Sequence, residues 1–164
     1  MIGTAITYNG ITINDNVNQP LREAQSPFYY IMVNNVDGLR TADISYESHP
    51  LPNIPGEKSG DVFRRGKTIT LSGYIYGHSL GYLELGADAL HQMFGSTTSL
   101  NNLTWTRRSD GVAVYLRCRP QQDLSIVESF DSLTRRWPWV VGLRCDMPYT
   151  YRVSDNSIYP TWQV

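Results

Sequence analysis

Along most of the chain, apolar and polar residues alternate in short runs separated by glycine, proline, asparagine or aspartate. The clearest run is KTITLSGYIYG, residues 67–77. Ile69, Leu71, Gly73 and Ile75 fall on one face, and Thr68, Thr70, Ser72, Tyr74 and Tyr76 on the other. Successive strand residues point to opposite faces, so this run predicts a half-buried strand. AITYNGITIN predicts a hairpin, because Asn9-Gly10 suits the positive φ angles of a type I′ turn. FYYIMVNNV (28–36) and TADISYES (41–48) predict two further strands on either side of Asp37-Gly38. LTWTRR (103–108) and VAVYLRCR (112–119) flank the turn Ser109-Asp110-Gly111, with Val112, Val114, Leu116 and Cys118 inward. DLSIVESF (123–130) predicts another strand. RRWPWVVGLRCD closes the series with Trp137, Trp139, Val141, Leu143 and Cys145 inward. Pro138 has no amide donor, which predicts an edge position or a bulge near the start of that last strand.

One segment changes period. Leu83, Ala87, Leu90 and Phe94 recur at spacings of four, three and four, which predicts an amphipathic helix over about 80–94 stopped by Gly95. HPLPNIPGEKSGDVFRRG (49–66) is rich in proline with scattered apolar residues, and is expected as a long irregular loop. The element order, many strands and a single helix, predicts a mainly β, α+β protein: an antiparallel β-sandwich with one amphipathic helix packed beside it. The expected organisation is a sandwich domain over 1–147 and a connector or tail over 148–164.

Composition narrows the function classes. A length of 164 residues suits one domain with a sizeable core. The formal net charge is −1, with 6 basic and 7 acidic residues up to Tyr82 and 8 of each after it. Neither half has the basic excess of a nucleic-acid footprint, so specific nucleic-acid binding is not expected. MIGTAITYNG has no basic stretch followed by an apolar one, and no apolar run reaches spanning length, so neither secretion nor membrane insertion is expected. The two cysteines, Cys118 and Cys145, are expected as buried free thiols, bridgeable only if their strands are neighbours. They and the three histidines lack metal-ligand spacing; no metal and no cofactor are expected.

One motif asks for chemistry. Gly77-His78-Ser79-Leu80-Gly81 spells the nucleophile elbow of lipases and esterases, between a strand and a helix. That arrangement needs an acid and then a histidine after the serine. His91 is the only later histidine, and it lies within the same helix. At about 1.5 Å of rise per residue it sits far beyond the ≈ 3 Å reach of a base. Ser79 is better read as the helix N-cap, accepting a bond from an amide of the first turn. No catalytic residue is expected. Trp105, Trp137, Trp139 and Trp162 leave a sugar-binding sandwich as an alternative function class.

Taken in order, the runs resemble the N-terminal, ring-forming domain of phage distal tail proteins, the minor tail proteins of siphophages. FYYIMVNNVDGLR resembles that family's early strand and Gly-Leu turn. GKTITLSGYIYG is similar to its lysine- or arginine-started strand, LELGADALHQMF to its helix, and RRWPWVVGLRCDMPYTY to its closing strand. Met147, between Asp146 and Pro148, departs from the closing motif. The resemblance implies a structural virion protein of the phage tail, assembled in the bacterial host cytoplasm and located at the tail tip. It implies a self-assembled ring, a hexamer, joining the tail tube protein to the tail hub or baseplate protein. A tail tube protein is the alternative within the same architecture. On this reading Ile54, Pro55, Val62, Phe63, Arg64, Arg65, Tyr74 and Tyr76 are the candidate subunit-interface residues.

Overall fold

Asn9 and Gly10 both take positive φ, 49° and 76°, and turn the chain tightly between β1 (Ile6–Tyr8) and β2 (Ile11–Ile13). The computed structural model describes residues 4–14, 29–39, 44–50, 57–64, 66–95 and 99–159, with backbone alone for 44–50 and 57–64. The remaining elements are β3 (Tyr29–Asp37), β4 (Ile44–Pro50), β5 (Glu57–Arg64), β6 (Lys67–Gly77), α1 (Leu80–Phe94), β7 (Asn101–Thr106), β8 (Ala113–Pro120), β9 (Ser125–Ile126), β10 (Arg136–Cys145) and β11 (Tyr151–Arg152). The fold is mainly antiparallel β with one helix among the described residues.

The main sheet runs β2-β1-β7-β8-β10-β6-β3, with β11 on β8 and β9 on β10. Its longest ladder joins β10 to β6, from Arg136 opposite Tyr76 to Cys145 opposite Lys67. The β8–β10 junction is much shorter, registering only Pro120 with Leu143 and Arg119 with Arg144. The sheet bends at this seam, and the halves on either side share one core. Ile6, Tyr8, Ile13, Leu103 and Leu116 come from one half; Ile31, Ile69, Leu71, Ile75, Val141 and Leu143 come from the other. The layers expected of a sandwich are thus two halves of a single bent sheet. Its outer strands also touch, where the Asn14 amide donates to the Ile31 carbonyl at 2.8 Å.

The helix fills the space between the halves. Its apolar stripe, Leu83, Ala87, Leu90 and Phe94, is buried, and Gly86 and Met93 join it. Gly86 permits the approach: a Cβ there would lie 2.4 Å from Ile75 Cγ2. The Phe94 ring stacks on Tyr8 at 5.3 Å and on Trp139 at 6.2 Å, so one helix residue bridges both halves. Such aromatic pairs add about 0.5–1.5 kcal/mol beyond area burial.

Three expectations change. The segment expected as an irregular 49–66 loop holds a strand: β4 reaches Pro50 and β5 occupies Glu57–Arg64, pairing from Ile44–Arg64 to Pro50–Glu57. EKSGDVFR lacks apolar alternation, so its strand character comes from its partner and not from its own pattern. DLSIVESF contributes only the two residues of β9. Pro138 explains why. Its carbonyl accepts the Val127 amide at 3.0 Å, but its nitrogen has no hydrogen to return, and the ladder ends there. Pro138 is accordingly not on an edge strand. β10 is interior, and the missing donor falls on the side where β9 stops.

The described part of 148–164 folds along β8. Tyr151 pairs with Tyr115 and Arg152 with Val114. The guanidiniums of Arg107 (5.0 Å) and Arg152 (4.5 Å) both lie over the Tyr159 ring, and the Tyr159 hydroxyl donates to Asp110 at 2.9 Å.

Candidate assembly face

Strand alternation gives β3, β6 and β10 a second face, turned away from the core. Directly opposed residues of an antiparallel pair share a face. Register therefore places Tyr74 between Pro138 and Met32, and Tyr76 between Arg136 and Tyr30. The Val127 amide, just past the end of β9, bonds to the Pro138 carbonyl at 3.0 Å and brings the following loop to the edge of this row. The rings of Tyr74 and Tyr76 are 6.1 Å apart, and the Arg136 guanidinium lies 5.1 Å from the Tyr74 ring centre. At the other end of the same face Thr68 donates to Gln121 at 3.0 Å, and the Gln122 side chain covers Gly142. The face grades from aromatic and apolar near Gly77 to polar near Lys67.

Beside the aromatic end lies the loop 127–135. Val127, Phe130 and Leu133 on it are 63%, 73% and 81% exposed. This loop is tied down on several sides. Trp137 Nε1 donates to the Ser129 carbonyl at 3.0 Å, and the Ser129 and Thr134 hydroxyls are 3.2 Å apart. Asp131 accepts the Leu133 amide at 3.0 Å, and the Gly77 amide donates to the Arg135 carbonyl at 3.1 Å. The Arg135 guanidinium binds the carbonyl of His78. A braced loop that displays three apolar side chains beside an aromatic sheet face is suited to burying area against a protein surface. The strand expected over 123–130 puts Val127 and Phe130 in a ladder, whereas pairing stops at Ile126 and leaves both on the loop. Apolar residues on both sides of the Asp131-Ser132 turn were the available signal.

Of the candidate interface residues, Tyr74 and Tyr76 lie together on this face. Val62, Phe63 and Arg64 are on β5, opposite Tyr46, Ser45 and Ile44. Among the described residues the β4–β5 pair shares no ladder with the main sheet. Ile54, Pro55 and Arg65 lie outside the described residues. Ser79, in extended backbone at φ −145°, precedes the helix, and its hydroxyl accepts the Tyr82 amide at 3.4 Å. Trp137 and Trp139 are buried in the core, which removes them as a sugar-stacking platform. No group of three or more histidine, cysteine or acidic residues is arranged to hold a metal among the described residues.

No protein-family model matches the sequence, and comparison with curated proteins finds no match. Solved structures do match in fold. The Dit protein of phage SPP1, described as a paradigm of the hub adsorption apparatus in phages infecting Gram-positive bacteria, superposes with a TM-score of 0.61 at 12% identity over 92% of this chain. The chain spans about half of that protein's length, 52%. A subunit of the sheath–tube complex of an extracellular contractile injection system gives a TM-score of 0.48 at 15% identity, covering 93% of this chain and 90% of its own. One from the tube-terminating cap of the anti-feeding prophage gives 0.42 at 16%, covering 89% and 85%. The chain shares its fold with the SPP1 Dit protein.

Proposed function

We propose that the chain is a structural component of a phage tail that forms a ring, a hexamer, joining the tail tube to the tail tip hub or baseplate. The observation that carries this reading is the fold likeness to a hub protein over nearly the whole chain. The aromatic end of the outer sheet face, with Tyr74, Tyr76 and the 127–135 loop, supports it by offering one subunit-facing patch. A closed ring of identical subunits needs a second, different patch on each copy. The β4–β5 hairpin, with Val62, Phe63 and Arg64, is that patch. A two-stranded hairpin is marginal alone and gains from a neighbour along its edge. No catalysis is part of this role.

Negative-stain imaging and native mass measurement of the purified chain test the reading. Closed rings of six copies are expected, and labelled antibody should mark the tail tip of the virion. A chain that stays monomeric at high concentration and is missing from purified virions would overturn it. Open stacked tubes would indicate a tail tube protein instead.

A further inference from the structure

The β8–β10 seam brings the two cysteines together. Arg119 faces Arg144 in that ladder, so the next pair along the register is Cys118 and Cys145. Cys118 is also opposite Asn101 of β7, and Cys145 opposite Lys67 of β6. Both thiols are fully buried on the core side. The Cys118 thiol donates a hydrogen bond to the Cys145 sulfur; it lowers the Cys145 pKa, with a further contribution from the Lys67 charge, and raises that of Cys118. Opposed residues of an antiparallel pair have Cα atoms about 4.5–5.5 Å apart, inside the roughly 4.4–6.8 Å that a disulfide spans.

The geometry points to a reversible disulfide between Cys118 and Cys145 that fastens the seam between the two halves of the sheet. The position gives the bridge a task. Along the sheet the halves are joined by the two registered pairs of this ladder, and the cysteines are the next rung. Lys67 is buried beside Cys145 and held by the Leu39 carbonyl at 2.6 Å, which places a cation next to the attacking sulfur. Cys145 is the last residue of β10, and Asp146 and Met147 beyond it are exposed, so fraying of this strand end is the opening through which an oxidant would reach the buried pair.

The oxidant class is a small-molecule disulfide. The Cys145 thiolate attacks one of its sulfurs, breaking that S–S bond and releasing a thiolate. Cys118, giving up its proton, then attacks the Cys145 sulfur of the mixed disulfide and displaces the second thiolate. Two protein thiols are oxidised, one small disulfide is reduced to two thiols, and the protons end on them. A virion passing from a reducing cell to an oxidising medium crosses this range; that context rests on the proposed function, while the bridge itself belongs to the isolated chain.

The test equilibrates the full chain in buffers of graded reduced and oxidised glutathione, without denaturant. Samples are quenched in acid and alkylated after unfolding. The expected product is a monomer lighter by two hydrogens, closed to alkylation until reduced, with a Cys118–Cys145 cross-linked peptide and a Tm higher by about 5–10 °C. Cys118→Ser should instead stop at a one-glutathione adduct on Cys145 or stay unmodified. The proposal is overturned if both thiols stay open to alkylation across the series, if glutathione adducts persist in the parent chain, or if the bridge lowers Tm. Ring formation is measured separately, so its failure leaves this result intact.

Discussion

Asp110 shows how single residues hold the edge of the molecule together. Its carboxylate accepts the Val112 amide at 3.1 Å and the Tyr159 hydroxyl at 2.9 Å, and pairs with Arg107 at 2.9 Å. These bonds, the backbone one first, lower its pKa below 3.8. Asp155 is lowered likewise, chiefly by the Ser157 hydroxyl at 2.7 Å. A depressed folded-state pKa contributes stability that is present above the unfolded value and lost as pH falls through the folded one. Docking of the 151–159 segment on β8 is therefore expected to hold from neutral pH down to about the ordinary carboxylate pKa, ≈ 3.9, and to loosen below it. NMR titration of the Asp110 carboxyl and the Tyr159 amide checks this; release that begins above pH 5 would contradict it. Gly73 works at the same scale by what it lacks. A Cβ there would meet the Met32 carbonyl oxygen at 1.8 Å, beside the register shift between Val33 and Asn35. Glycine in a strand commonly marks such a bulge.

At the scale of elements, the helix start decides the meaning of Ser79. Its oxygen is engaged with the Tyr82 amide, and the Ser79 carbonyl accepts the Leu83 amide at 3.1 Å, the first bond of the helix. The strand before it is part of an antiparallel sheet, unlike the parallel setting that strains an esterase elbow. Ser79→Ala is expected to lower stability by about 0.5–1 kcal/mol, read by urea denaturation. The parent chain should show no ester hydrolysis that this substitution abolishes. A folded Ser79→Ala protein that loses a measurable esterase activity would reverse the assignment.

At the scale of the whole molecule, the three most exposed large apolar side chains among the described residues, Val127, Phe130 and Leu133, share one loop. Leu133 makes its exposed contribution from a loop held by backbone and hydroxyl bonds, so its side chain is separable from the fold. Leu133→Asp is expected to leave the monomer's stability within about 0.5 kcal/mol. Under the proposed assembly it should shift the ring toward smaller species, because a charge would be buried at the contact. Sedimentation velocity of the variant against the parent chain measures this; rings of undiminished stability would move the contact away from the 127–135 loop.

Local pattern alone determined the strand faces, the helix with its stripe and its capping serine, and the Asn9-Gly10 hairpin. Each is set by residues within a few positions of one another. Period two tells which way Tyr74, Cys118 or Trp137 points, since a pleated strand alternates whatever its partner. It does not tell which strand lies alongside. The β4–β5 pairing, the end of β9 at Pro138, the row from Pro138 through Tyr74 to Met32 and the meeting of Cys118 with Cys145 all depend on register between separate segments. For the pairings within the main sheet, packing around Phe94 and its neighbours decided the outcome, because burying the apolar faces in one core selects among registers that local pattern leaves open; the β4–β5 pair, a separate sheet, was decided by its own ladder.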